Sequence, residues 1–120
     1  MALKDYIIID KTQRKPTIVE QVVSQVSDLI ENGQLPEELR ILPSYDIFAK
    51  EFTITRMNSS RIYERLKKYG GYDKYGNLYL DSKAYAMYRL KESVEYALNQ
   101  GISSAVIKKS VGGFVAEYNH

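Results

Sequence analysis

With 120 residues the chain has room for one domain with its own core and one further packing element, and its 44% hydrophobic and 27% charged shares exclude a disordered or fibrous class. It has no cysteine and a single histidine, His120, which excludes disulfide scaffolds, thiolate zinc sites and Ser/His or Cys/His nucleophile systems; neither a metal nor a cofactor is expected. The net charge of +2 is unevenly divided: residues 1–16 hold four basic groups against two acidic, 17–52 two against seven, 53–69 five against one, and 70–120 six against five, so the positive charge gathers in 53–69.

The first aliphatic run, Ile7 to Ile9, is flanked by Asp5 and Asp10 and is too short for a signal peptide or a membrane span, so a cytoplasmic protein is expected. Its β-branched character predicts a strand over Tyr6–Asp10, free to pair with a later hairpin. Thr17-Ile18-Val19-Glu20 has the form of a capping box and predicts a helix start. Val19, Val22, Val23, Val26, Leu29 and Ile30 then make one apolar stripe, with Gln21, Gln25, Asp28 and Glu31 facing away and Gly33 supplying the left-handed stop.

Leu42-Pro43-Ser44 sets up a second, short helix capped by Ser44, with Ile47, Phe48 and Phe52 pointing inward. Thr55 caps a third, in which Ile62, Leu66 and Tyr69 form a narrow apolar stripe and Arg56, Asn58, Arg61, Arg65 and Lys68 face solvent before Gly70-Gly71 ends it. Two short helices about three residues apart, the second basic on its outer face, outline a helix-turn-helix. Tyr72 to Leu80 reads as a hairpin around Tyr75-Gly76-Asn77, a plausible wing. A long helix from Ser82 to Gln100 follows, stopped by Gly101, and Ser103 or Ser104 can cap a last helix bearing Ile107, Val111, Phe114, Val115 and Tyr118.

Strand, helix, Leu-Pro-Ser, two close helices and a hairpin, in that order, resemble the DNA-binding domain of the GntR family of bacterial transcription factors over roughly Ile7 to Leu80. Pro16 and Gln21 are similar to the family's Pro-x-x-x-Gln, Gly33-Gln34-Leu35 and Leu42-Pro43-Ser44 to its Gly-x-Leu and Leu-Pro-Ser, and Phe48 to Arg56 to its Leu-Ala-x-x-Leu-Gly-Val-Ser-Arg turn, with Leu66 as the apolar anchor. The tail resembles the YtrA-like branch, where two helices pair subunits, and Asn99-Gln100-Gly101-Ile102-Ser103 is similar to the helix-Gly-apolar-Ser break between them. Departures are Asp46 where a basic residue is frequent, Ser59 where Val is frequent, Thr53 at the tight-turn Gly, and a hairpin tip poor in Arg and Lys.

The expected fold class is therefore mainly α with a small β-hairpin wing (α+β), a winged helix-turn-helix over residues 1–80 and a helical dimerisation tail over 81–120. The resemblance implies a sequence-specific double-stranded DNA-binding regulator, a repressor acting as a homodimer on a palindromic operator, with no membrane partner and no assigned effector. The residues expected at DNA are Ser44, Thr55, Arg56, Asn58, Ser59, Arg61, Arg65, Lys74, Tyr75 and Asn77. Arg56 suits guanine and Asn58 adenine, with the helix starts at Ser44 and Thr55 suited to phosphates. For Asn58, helix capping is an equal alternative, and a basic helix face taken alone is most often just solvated surface. The eleven tyrosines suit stacking on single strands, but the spacing of Tyr63, Tyr69, Tyr72, Tyr85, Tyr88 and Tyr96 favours packing. Leu90, Val94, Ala97, Leu98, Val111, Phe114 and Val115 are more apolar surface than two helices hide, so a twofold partner is expected to cover them, with internal packing as the alternative. A protein-interaction adaptor on the same scaffold, such as a phage or plasmid accessory protein, is the second functional reading, motivated by Asp46, Glu51 and the weak wing. No phosphate loop, carboxylate pair or nucleophile system marks an enzyme.

Overall fold

The computed structural model describes residues 2–100, which form a mainly helical α+β unit with one small antiparallel sheet. In chain order the elements are α1 (Ile18–Glu31), β1 (Ile41–Leu42), α2 (Tyr45–Phe52), α3 (Arg56–Leu66), β2 (Gly71–Tyr72), β3 (Leu78–Tyr79) and α4 (Ser82–Asn99), with single 3-10 turns at Leu3–Asp5, Glu37–Leu39 and Lys67–Tyr69.

α1 begins where expected, because the Thr17 side chain accepts from the Glu20 amide at 3.2 Å. Val19, Val22 and Val26 are buried, and each fully buried valine contributes roughly 1.5–3 kcal/mol through apolar surface removed from water. The helix stops at Gly33 (φ +66), which allows the Gln34 amide to reach the Leu29 carbonyl and the Gly33 amide that of Ile30. α1 and α2 both pack on α3, so Ile62, Tyr63 and Leu66 meet Val22, Val26 and Phe48 in one core completed by Leu35, Leu42, Leu78 and Leu80.

The predicted strand over Tyr6–Asp10 does not form. The segment joins no sheet, but Ile7, with Leu3 before it, is buried in the core. Its peptide groups are met by two glutamine side chains instead. Gln25 Oε1 accepts from the Ile8 amide at 2.8 Å while its Nε2 donates to the Ile8 carbonyl at 2.6 Å. Gln21 does the same for Asp10, at 2.7 and 2.9 Å, and also donates to the Pro16 carbonyl. Four residues of helix rise by about 6 Å, close to the roughly 6.6 Å spanned by two residues of extended chain, so amides at i and i+4 match peptides two apart. Gln21 and Gln25, expected to face away, are thus the clamp of the N-terminal segment.

The hairpin's extra partner is β1. The sheet order is β1-β3-β2, with Leu42 opposite Leu78 and Ile41 opposite Tyr79, so one face carries the buried leucines and the other carries Ile41 and Tyr79 toward α4. Two further expectations need correction. Ile47 is 50% exposed rather than inward, since only Phe48, Ala49 and Phe52 fall on the buried side of α2. Ser44 stands at the N-cap of α2, but its side chain makes no capping hydrogen bond.

α4 starts at Ser82, where it was expected. Asp81 is the cap, its Oδ1 accepting from Lys83 and Ala84 amides while Oδ2 lies 3.3 Å from Arg40 Nη1. The first turns of α4 rest on the sheet through a tyrosine cluster, with Tyr79 centroids 5.8 and 5.5 Å from those of Tyr85 and Tyr88. Gly71 makes this possible: a Cβ there would stand 2.4 Å from the Tyr85 ring. No residue of this 18-residue helix is buried. Gly101, the helix expected after Ser103 or Ser104, and its Ile107, Val111, Phe114, Val115 and Tyr118 lie outside the described residues.

Candidate nucleic-acid interface

α3 is presented by being pinned along its inner side. Thr55 caps it, accepting from the Asn58 amide at 3.0 Å, and so Asn58 is held by its backbone while its partly buried side chain makes no capping bond. Ser59 Oγ donates to the Tyr45 carbonyl at 2.7 Å, and Tyr63 OH donates to the Pro43 carbonyl at 2.5 Å. Both bonds tie α3 to the entry of α2. Burial pushes the Tyr63 phenol well above its ordinary range. Ser59 therefore leaves the expected DNA-contact set: it is wholly buried and its hydroxyl is spent on the α2–α3 joint.

The outer side of α3 carries Met57, Arg61, Arg65 and Lys68 at three- and four-residue spacing. Arg61 and Arg65 are exposed and have no acidic partner among the described residues, whereas Lys67 sits 3.5 Å from Glu64. Met57, 63% exposed, was missed by sequence reasoning; a bare apolar side chain in the first turn of a helix that otherwise shows cations was its signal.

Arg56 is not free. Its Nε donates to Asp46 Oδ1 at 2.5 Å, and its guanidinium carbon lies 5.9 Å from the Tyr45 ring centroid. The Asp46 hydrogen bond, followed by Tyr45, raises the Arg56 pKa. The pair is open to solvent, with the side chains 73% and 48% exposed. Such a pair adds little to folding stability. Its effect is on where the guanidinium points.

The turn before α3 brings further cations in. Thr53, the C-cap of α2, has left-handed backbone angles (φ 52, ψ 50), and the Ile54 amide closes back on the Ala49 carbonyl at 3.0 Å. Lys11 Nζ donates to the Thr53 carbonyl at 2.6 Å, which fastens the loop 11–16 beside the α2–α3 turn. Arg14 and Lys15 on that loop, and Lys50 on α2, are exposed and form no ion pair among the described residues. None was among the expected site residues; the charge of residues 1–16 was visible, but not the contact that carries it 42 positions along the chain.

At the other end, the hairpin tip lies against the start of α2, since a Cβ at Gly76 (φ +84) would stand 3.7 Å from Ser44 Cβ. Asp73 builds the tip: Oδ1 accepts from the Tyr75 and Asn77 amides and Oδ2 from Asn77 Nδ2. The Asn77 side chain is thus used inside the turn. Lys74 Nζ lies 3.6 Å from Glu92 and over the Tyr75 ring; Tyr75, then Glu92, raise its pKa. Tyr75 is 73% exposed. Ser44, Arg56 and the hairpin tip with Lys74 and Tyr75 therefore lie around the α2 start, Thr55, Arg61 and Arg65 belong to α3, and the Lys11 loop sits at the α2–α3 turn.

Of the residues expected to pair subunits, Leu90, Val94 and Ala97 are half-buried and Leu98 is half-exposed, all on α4. Leu90 and Val94 join Met87, Tyr88, Ile41 and Tyr79 around an open, mostly apolar groove of about 880 Å³ whose rim carries Lys91 and Glu95. Val111, Phe114 and Val115 lie outside the described residues. Among the described residues no group of His, Cys, Asp or Glu is placed to hold a metal, and no helix is long and apolar enough to cross a membrane. No protein family, curated protein or solved structure matches the chain.

Proposed function

We propose that this protein is a sequence-specific duplex DNA-binding regulator, a winged helix-turn-helix of the GntR type that acts as a homodimeric repressor. The observation that carries the reading is α3: its inner side is fully buried, while Arg61 and Arg65 project from its outer side without acidic partners among the described residues. A duplex presents dense negative charge, so unpaired cations on a rigid rod supply affinity, and first-turn side chains supply base reading. Arg14, Lys15 and Lys50 extend the same basic edge to the flanking phosphates. Pairing through the Leu90–Val94 face of α4 covers the apolar groove and sets two α3 helices on a twofold site.

The test is a salt titration with operators selected from a random duplex pool. Replacing Arg61 and Arg65 by Ala is expected to lower the slope of log affinity against log salt by about 0.9 per lost phosphate contact and to weaken all sequences alike. Arg56→Ala is expected to remove preference for the selected sequence. Unchanged slopes in the double variant count against the assignment of α3. The adaptor reading is favoured by one observation, that Arg56 and Lys74 are each already matched by an acid. It predicts no salt-sensitive retention on duplex DNA at all.

A further inference from the structure

We infer that Asp46 is a positioning residue that makes Arg56 a guanine reader and penalises binding to other sequences; this rests on the DNA-binding reading above. A guanidinium has two edges with which it can donate two parallel hydrogen bonds: the end, Nη1 with Nη2, and the side, Nε with one terminal nitrogen. In this protein Nε is already bonded to Asp46 Oδ1 at 2.5 Å. Only the end edge remains whole. That edge matches the O6 and N7 acceptors that guanine shows in the major groove.

The surroundings hold the guanidinium from a second direction. Tyr45 lies beneath it, with the guanidinium carbon 5.9 Å from the ring centroid, and is itself held because its carbonyl accepts from Ser59 Oγ and its ring meets Tyr63 edge-on at 6.5 Å. A flexible side chain at the exposed start of α3 is thereby ordered before any partner arrives, which lowers the entropy lost on binding. Asp46 has a second consequence. A carboxylate near the phosphate path repels the backbone of every duplex equally, so only a sequence whose base contact compensates is held well. Asp46 gives up affinity for discrimination, with the ion pair too exposed to matter to folding.

The experiment compares wild type, Asp46→Ala and Asp46→Asn at fixed salt on three kinds of duplex: the selected site, its single-base substitutions, and random sequence. Asp46→Ala is expected to bind random duplex more tightly and to lose about tenfold of its discrimination at one guanine, the effect of freeing a bidentate arginine. Asp46→Asn keeps an oxygen acceptor for Nε; it is expected to bind random duplex more tightly as well, yet to retain that discrimination. In an Arg56→Ala background, Asp46→Ala should remove no further discrimination. Undiminished discrimination in Asp46→Ala, or an equal loss in Asp46→Asn, overturns the positioning role while leaving the DNA-binding reading standing. Absence of salt-dependent duplex binding by the wild type overturns both.

Discussion

α3 and α4 are both polar-rich helices, yet the molecule treats them in opposite ways. The 11 residues of α3 bury four side chains, Ser59, Ile62, Tyr63 and Leu66, whereas the 18 residues of α4 bury none. α3 is seated between α1 and α2 and shows its cations outward; α4 touches the sheet through Tyr85 and Tyr88 and leaves apolar Met87, Leu90, Val94 and Leu98 with solvent access. The difference teaches that an apolar stripe read from spacing has two physical outcomes. A stripe that meets a core becomes a rigid mount for whatever lies on the opposite face. A stripe that meets none remains a surface available to another chain.

The contrast breaks most sharply under substitution of one apolar residue from each helix. Ile62→Ala is expected to cost about 3–4 kcal/mol, because Ile62 is fully buried and the cavity cannot collapse among three packed helices. Val94→Asp is expected to leave the unfolding free energy of the dilute protein in urea within about 0.5 kcal/mol of its wild-type value while abolishing dimer in sedimentation at high concentration. If Val94→Asp unfolds the protein as Ile62→Ala does, the α4 face belongs to the core and the dimer proposal fails.

A smaller effect tests the mount itself. The Tyr63 phenol, raised by burial, and that of Tyr72, pushed up to about 12 by burial and by Glu64, both favour the neutral form in the folded state. Stability from this source is complete below the ordinary tyrosine range near 10 and declines as pH rises past it toward 12, because the unfolded chain ionises first. Tyr63→Phe is expected to lose about 1 kcal/mol at neutral pH with its bond to the Pro43 carbonyl, and to show a shallower alkaline decline in urea midpoints. An equally steep decline places the alkaline sensitivity elsewhere.

The smallest change sharpens the turn that aims α3. Thr53 holds a left-handed conformation that costs a branched side chain roughly 1–2 kcal/mol, so Thr53→Gly is expected to raise stability by about 1 kcal/mol in denaturant unfolding, after the extra freedom of glycine in the unfolded chain is offset. A loss of stability would mean that the Thr53 side chain supports the turn in a way its backbone angles do not reveal.

Local chemistry was largely legible. Thr17 and Thr55 cap their helices, Gly33 stops α1 and Gly76 turns the hairpin, each because a single residue type satisfies a single backbone need. The strand expected over Tyr6–Asp10 failed for a nonlocal reason. Its β-branched run does favour strand, but the strand that joins the hairpin at β3 is Ile41–Leu42, and glutamines from α1 satisfy the peptides of Ile8 and Asp10. The two-residue strand β1 is too short to show any alternation. The site was half legible: the charge of residues 53–69 located the basic helix, while the burial of Ser59 and the attachment of Lys11 to Thr53 depended on partners 14 and 42 positions away.

Sequence alone thus determined where α1 to α4 begin, which stripe of each is apolar, and where positive charge gathers, because these depend on neighbours within about four residues. Tertiary structure decided which stripes are buried, which cations among the described residues lack an acidic partner, and that Asp46 holds Arg56, because each depends on groups that only the folded chain brings within a few ångströms.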